Sequence, residues 1–414
     1  MCRGLHRARR LEENFGVANG AIDLEVGVDA RVLPRCCARG SCNDVRCFVR
    51  FERARNVYPG RNFLDAHTRG FTVSFGQARS MKYRTLGRTG LEISEIGFGC
   101  GTSAGLMVSG PADARRAAIE RALERGITLF DTAPVYGDTL SETHLAQALR
   151  ELDAKPVIST KVALEVPDYD DLAGGVVRSL EGSLERLGLD VLPIVHMHNR
   201  VGRERMAKSP YGSGALLTLD DVLGKNGVVE GFERAKKRGL VRFAGCQAFG
   251  GDNALIEALI DSGKFDSIII NYSMLNQSAW LDGPTVNPLF TYGRVGARAA
   301  QRGMGIVALR ILEGGALATG FDRHPNAGAM GGDDYAAFIE QAKTLRFLAD
   351  EGDPTLVAAA IRFGLSNPAL STVLVGISDA AHVDAAAEAE ARGPLSADQL
   401  ARIEQLRASG FTTA

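Results

Sequence analysis

The sequence predicts a (β/α)8 barrel running from Met81 to the C-terminus. Three observations carry this. Short apolar runs of strand character alternate with helical stretches, and the alternation repeats eight times. The repeat occupies roughly 330 residues, ample for such a barrel. No G-x-G-x-x-G turn follows the first strand. The rival, an open doubly wound sheet, would normally show that turn and fewer strands.

Each element has a local reason. Tyr83–Ile93 reads as a hairpin, two extended runs flanking a turn at Gly87–Gly90. Ser94–Thr102 is the first barrel strand, and it is rich in Gly, as a strand approached closely by a ligand or another backbone can be. Ala112–Arg125 is a helix with Ala117, Ile119, Ala122 and Leu123 on its apolar side, stopped by Gly126. Gly126–Asp131 is the second strand and Ser141–Leu152 the next helix, with Glu142 in its first turn. Pro156–Lys161 is the third strand. The helix Asp170–Leu187 places Leu172, Val176, Leu180, Leu184 and Leu187 at helical spacing and closes on Gly188. Asp190–His198 is the fourth strand, and a long loop spans 200–227. Val228–Arg238 is a basic-ended helix stopped by Gly239. Strands at Val241–Cys246, Asp266–Asn271 and Gly305–Arg310 follow, with helices at Asn253–Ser262, Pro288–Arg302 and Asp334–Asp350. Pro354–Leu365 is a further helix with Pro at its start. Ser371–Gly376 is the eighth strand, and two helices end the chain.

Composition sets bounds on function. The chain has 414 residues, 45% hydrophobic and 23% charged, with a net charge of −1. This is a globular composition with no electrostatic reason to expect nucleic acid or an anionic membrane as partner. No apolar run approaches the roughly 18 residues of a spanning helix. Residues 1–80 differ from the rest: fourteen Arg, no Lys and eight acids give them a net +6. Five of the seven cysteines lie there, at 2, 36, 37, 42 and 47, without the paired C-x2-C spacing of a zinc site. The segment lacks the apolar core of a secretory signal, and its acids argue against organelle targeting. The expectation is a disordered leader or a mis-assigned upstream start, with Met81 opening the folded domain. The remaining Cys100 and Cys246 form no disulfide framework and fit a reducing, cytoplasmic compartment.

In a (β/α)8 barrel, chemistry sits at the C-terminal ends of the strands. Those ends carry Asp131 with Tyr136 in the loop after it, then Lys161, His198, Gln247, Asn271 and Arg310. An ammonium at Lys161 needs a carboxylate partner among apolar neighbours, and Asp131 is one strand away. The pair is read either as a structural ion pair at the rim or as part of an active site; Tyr136 and His198 beside it favour the second. Carbonyl reduction needs a proton donor for the developing alkoxide. A nearby Lys⁺ favours tyrosinate and would lower the pKa of Tyr136. His198 would orient the substrate oxygen. His196 and His198 share one face of their strand, a pair that could ligate metal, but no third ligand is evident and no metal site is expected.

The run from Phe130 to Gly137 followed by Ser141-Glu142 resembles the signature of the aldo-keto reductase superfamily. Ser159-Thr160-Lys161 resembles its catalytic-lysine strand, Met197-His198-Asn199 its histidine strand, and the hairpin with Ile96-Gly97-Phe98-Gly99 its N-terminus. The resemblance covers essentially 81–392. It implies a hairpin plugging the barrel bottom, a tetrad of Asp131, Tyr136, Lys161 and His198, and Tyr136 as proton donor. It also implies a nicotinamide nucleotide, NADPH by default with NADH possible, held by Gly101, Thr102, Asp131, Asn199, Gln247, Arg310, Gly376, Ser378 and His382. The cofactor region departs from the pattern in places. Gln247 stands where many members have Asn, Ile269 where a Gln is usual, and Ser378-Asp379 where NADPH-dependent members often carry a cation. An acid there would repel a 2′-phosphate, so NADH is credible.

The expected activity is therefore interconversion of a small-molecule carbonyl, an aldehyde, ketone or sugar, and its alcohol. The pocket would be lined by Tyr136, His198, Trp280 and parts of the 200–227 and 272–290 loops. The alternatives are a catalytically weak nicotinamide-binding regulatory subunit and a Schiff-base aldolase using Lys161. The sequence leaves oligomeric state open.

Overall fold

The computed structural model of the protein describes residues 81–209, 213–249, 252–283, 285, 290–318, 333–350 and 353–412. The arginine-rich leader and its cysteine cluster lie outside the described residues.

The described chain opens with a hairpin of β1 (Tyr83–Thr85) and β2 (Glu92–Ser94), with Tyr83 opposite Ser94. Eight parallel strands then close a barrel: β3 (Ile96–Gly99), β4 (Leu129–Asp131), β5 (Val157–Val162), β6 (Leu192–Met197), β7 (Val241–Ala248), β8 (Ser267–Asn271), β9 (Gly305–Leu309) and β10 (Thr372–Gly376). The ring is completed by β10, which pairs with both β9 and β3.

Helices cover the outside of the ring. They are α1 (Leu106–Ser109), α2 (Ala112–Glu124), α3 (Leu140–Glu151), α4 (Leu172–Leu187), α5 (Leu219–Leu223), α6 (Val228–Lys237) and α7 (Asn253–Asp261). Then come α8 (Val295–Gln301), α9 (Asp333–Thr344), α10 (Phe347–Asp350), α11 (Leu356–Leu365), α12 (Ala380–Ala391) and α13 (Ala397–Ala408). Their apolar stripes seal the outer faces of the strands. In α4, Leu172, Val176, Leu180 and Leu187 are buried, the Asp171 carboxylate caps the first turn at Gly174 N, and Gly188 ends the helix at φ 67.

The hairpin closes the barrel bottom, as expected. Leu86 and Ile93 are fully buried in one cluster with Leu129, Ile194, Ile269, Val307 and Leu374. Gly87, at φ 46, lies against the backbone of Met304 and Gly305, where a Cβ would overlap. The Arg84 guanidinium ties the hairpin to the chain before β10, donating to the carbonyls of Leu365, Asn367 and Leu370.

Several boundaries differ from the sequence expectation. Of the helix expected over 288–302, the described part is α8. It starts at Val295 because Gly293 and Arg294 both take left-handed backbone, φ 51 and 61. The helix before β10 starts after Thr355, whose hydroxyl accepts from Ala358 N, so Pro354 precedes the cap rather than occupying the first turn. The helix expected over Asp334–Asp350 is broken at Leu345 and Arg346, and nothing in the sequence marks that break. The last residue of β9 is Leu309; Arg310 turns away at φ 57. Short helices α1 and α5 were not expected.

Candidate active site

The mouth of the barrel gathers ionisable groups from three adjacent strands. Asp131 ends β4, Lys161 is the fifth residue of β5, and His198 directly follows β6. The register explains their proximity: Asp131 pairs with Ser159, and Lys161 with His196. The Lys161 ammonium lies 2.5 Å from Asp131 Oδ1 and donates to the Thr132 carbonyl at 2.8 Å, with its side chain wholly buried. Asp131 Oδ2 accepts from the Ser159 hydroxyl at 2.8 Å.

Tyr136 reaches this pair through an unusual turn. Gly137, Asp138 and Thr139 take left-handed backbone in succession (φ 62, 51 and 71), which carries the chain from the Tyr136 loop into α3. At Gly137 a Cβ would overlap Val108, so the turn needs glycine there. The Lys161 Nζ is 5.0 Å from the Tyr136 ring centre, and the rings of Tyr136 and His198 meet edge-on with centroids 5.7 Å apart. Gly101 lies near the Tyr136 ring: a Cβ there would sit 4.0 Å from Cζ. The start of α3 is anchored by buried polar contacts. Thr132 Oγ1 and Ser141 Oγ are 2.8 Å apart, and Glu142 accepts from Thr160 Oγ1 and Arg186 Nε, both at 2.6 Å. Ser141-Glu142 is thus framework for the turn that presents Tyr136.

The electrostatics set protonation states. Burial works against the Lys161 charge, but Asp131, then Tyr136, outweigh it and its pKa is raised, so the lysine stays an ammonium. Burial raises the Tyr136 pKa, Lys161 pulls it down, Asp131 pushes it up, and the net direction is upward. This corrects the sequence expectation of a lowered value: burial was invisible there, and the carboxylate that anchors Lys161 also opposes its effect. The phenol is therefore protonated at neutral pH. Burial, then Lys161, pushes His198 well below its ordinary value, so its imidazole is neutral.

The other expected site residues fall into two groups. Gln247 lies inside β7, longer than expected, and donates its amide nitrogen to the His198 carbonyl, leaving Oε1 buried without a partner. Asn271, at the end of β8, donates to Tyr292 Oη at 2.6 Å, and its Oδ1 is likewise buried and unpartnered. Two buried acceptors without donors are what a carboxamide N–H2 would satisfy, so the site fits a nicotinamide. Ile269, the position that raised doubt, is buried in the barrel-bottom cluster; Asn271, two residues further on the same face, supplies an amide.

Asn199 has a different place. Its side chain donates to the carbonyls of Leu164 and Ala215, both at 2.8 Å, and accepts from Leu164 N at 2.7 Å. It clamps the loop after β6 to the loop after β5. That loop brings Ser213 Oγ to 3.5 Å from His198 Nε2, a neighbour the sequence flagged only as part of a long loop. Gly376 and Ser378 adjoin the loop after β3: the Ser378 hydroxyl donates to the Ala104 carbonyl at 3.0 Å. Thr102 is exposed in that loop, and Arg310 is half-buried after β9. Asp379 is the N-cap of α12 and accepts from His382 N at 3.0 Å, while the His382 ring is half-exposed. Trp280 packs on Tyr272, with ring centroids 4.9 Å apart, and against Gly296 of α8. No group of three or more His, Cys, Asp or Glu suited to a metal ion occurs among the described residues. No helix among them is long and apolar enough to cross a membrane.

Comparison with known proteins gives a consistent picture. The model of the aldo/keto reductase family matches residues 95–408. An L-galactose dehydrogenase of Arabidopsis thaliana is 27% identical over 338 residues, spanning 79% of this chain and 94% of its own length. A pyridoxal 4-dehydrogenase of Microbacterium luteolum is 26% identical over 335 residues, spanning 72% of this chain and 90% of its own. A solved aldo-keto reductase from Bacillus halodurans, in its holo form, shares the fold with a TM-score of 0.60 at 22% identity, over 79% of this chain and 96% of that one.

Proposed function

The chain belongs to the aldo/keto reductase family, and from that membership we propose that it is a nicotinamide-dependent oxidoreductase interconverting a carbonyl and its alcohol. The observation that carries the reading is a protonated, partly buried Tyr136 beside the Lys161–Asp131 ion pair and a neutral His198. In reduction, Tyr136 gives its phenolic proton to the developing alkoxide. The Lys161 ammonium stabilises the tyrosinate left behind, and Asp131 with the Thr132 carbonyl keeps that ammonium in place. Neutral His198 hydrogen-bonds the substrate oxygen and orients it. In oxidation the tyrosinate takes the proton of the substrate hydroxyl. A nicotinamide, when bound, supplies or accepts the hydride. The carboxamide falls to Gln247 and Asn271, and the rest of the nucleotide to Gly101, Thr102, Arg310, Gly376, Ser378 and His382. A Schiff-base role for Lys161 needs its free amine, which the raised pKa opposes.

NADPH is the family default, yet this chain favours NADH. Asp379 occupies the N-terminus of α12 with its own carboxylate, adding negative charge where a 2′-phosphate would lie. The names of the two dehydrogenase relatives point to a hydroxylated aldehyde or its cyclic hemiacetal as substrate. Buried free thiols at Cys100 and Cys246 suit a reducing, cytoplasmic setting. The test is a parallel titration with NADH and NADPH, followed by quenching of intrinsic fluorescence; the chain has one Trp. Saturable binding, tighter for NADH, is expected. Binding of neither nucleotide contradicts the reading.

A further inference from the structure

His196 takes no part in the mechanism above, yet it is wholly buried in the barrel interior within a directed chain of hydrogen bonds. Its Nδ1 lies 3.3 Å from Ser159 Oγ and its Nε2 2.7 Å from Ser267 Oγ. The directions follow from counting protons. The single hydroxyl proton of Ser159 is committed to Asp131 Oδ2, because a carboxylate only accepts. Ser159 Oγ must therefore accept from His196, which puts the imidazole proton on Nδ1. Nε2 is left as an acceptor, and Ser267 donates to it. Burial, then Lys161, holds the His196 pKa down at about 3, so this tautomer is neutral throughout the physiological range. The ionisable groups around the chain are Asp131, Lys161, His198, Tyr136 and the buried thiol of Cys100.

Room for the chain is built into the neighbouring strand. In the barrel register, His196 pairs with Gly245, and Gly245 with Ser267. A Cβ on Gly245 would overlap both the His196 ring and Ser267 Oγ. Four strands, β4, β5, β6 and β8, thus contribute one polar group each, and β7 contributes a space.

We propose that Ser267, His196 and Ser159 form a positioning relay that orients the Asp131 carboxylate, and through it the ammonium of Lys161, for proton transfer at Tyr136. This rests on the reading of Tyr136 as the acid. Asp131 has two oxygens, one bound to Lys161 and the other to Ser159. With the second oxygen fixed, the carboxylate cannot rotate away from the lysine. The chain ends at Ser267, which is fully buried, so it sets geometry and charge rather than conducting protons to solvent.

Two experiments test this. The first needs no turnover: nitrogen NMR of the protein labelled at its histidine rings, with the His196 signals identified by their loss in His196→Leu. The expected result is an Nδ1–H tautomer that does not titrate between about pH 5 and about pH 9, against an ordinary histidine midpoint near 6.5. An Nε2–H tautomer, or titration in that range, overturns the relay. If His196→Leu does not fold, Ser267→Ala identifies the signals by shifting them.

The second is kinetic, with wild-type turnover measured first. Absence of wild-type turnover counts against the proposed function and leaves the NMR result to judge the relay. With turnover present, His196→Leu is expected to lower kcat about tenfold, leave KM and nucleotide affinity within about twofold, and move the rising limb of the oxidation pH profile upward by about one unit. His196→Asn, which keeps a donor near the Nδ1 position, should recover most of the loss despite its smaller volume. Unchanged kcat and pH profile in His196→Leu, or an Asn variant no better than Leu, overturns the proposal. Should the Leu variant fail to fold, Ser267→Ala decides: a shift of the limb in the same direction supports the relay, and an unmoved limb overturns it.

Discussion

Lys161 Nζ and Asp131 Oδ1 lie 2.5 Å apart, with the lysine side chain entirely buried and the carboxylate almost so. Two strands deliver these charges to one point, and their mutual compensation lets both stay there. Removing either partner should therefore be strongly destabilising. Asp131→Ala leaves an ammonium with no counter-charge and is expected to cost about 3–5 kcal/mol of stability. Lys161→Met fills a similar volume without a charge; the carboxylate it leaves keeps Ser159 as a donor, as the ammonium left by Asp131→Ala keeps the Thr132 carbonyl, so a loss of the same order is expected. Urea denaturation of both variants checks this; losses below about 1 kcal/mol in both would count against a compensated buried pair.

The pH dependence of catalysis follows from the raised pKa of Tyr136. Reduction uses the phenol, so its rate should hold at neutral pH and fall as pH rises through the tyrosine pKa. Oxidation uses the tyrosinate, so its rate should climb over the same interval. Neutral His198 adds no further limb near its ordinary value. Rate profiles in both directions, taken on one preparation, check this. An oxidation rate that declines into alkaline solution while the protein remains folded contradicts it.

The buried imidazoles make an acid-stability prediction. His196 has a folded pKa of about 3, against about 6.5 unfolded. Between those values the unfolded chain binds more protons, so the histidine's contribution is complete above about 6.5 and is lost as pH falls towards about 3, at up to about 1.4 kcal/mol per pH unit. Denaturation midpoints across this range should fall less steeply for His196→Asn than for the wild type. Parallel curves would show that His196 is not buried neutral.

Nucleotide choice can be separated from helix capping at Asp379. Asn caps a helix about as well as Asp, so Asp379→Asn removes the charge while keeping the contact to His382 N. The NADPH dissociation constant should fall about tenfold with NADH nearly unchanged, and Ser378→Arg should add to the effect. Isothermal titration of both nucleotides reads the ratio. A ratio unmoved by either substitution places the 2′-discrimination elsewhere.

Much of the barrel was legible because each strand end is written locally. Asp131, Lys161 and His198 close apolar runs, and the register between neighbouring strands does the rest. The hairpin was legible in its turn glycines, Gly87 and Gly90, while its place at the barrel bottom came from the family resemblance. What was illegible depends on atoms brought together by ring closure. The bond between His196 and Ser267 joins residues 71 apart, and each alone looks like a polar interruption in a strand. The three backbone bonds of Asn199, which clamp one loop to the next, have no local mark in the sequence either. The direction of the Tyr136 shift needed its burial, which a loop tyrosine does not advertise. The late start of α8 came from left-handed Arg294, a conformation that arginine does not announce.

The most direct test of the central claim is the turnover of Tyr136→Phe beside the wild type, following nicotinamide absorbance with an aldehyde and, in reverse, its alcohol. The phenyl ring keeps the edge-on contact with His198 and loses only the hydroxyl. The expected result is a kcat lower by about two to four orders of magnitude with nucleotide affinity preserved. Turnover within about threefold of the wild type would mean that another group moves the proton, and would contradict the mechanism at its acid.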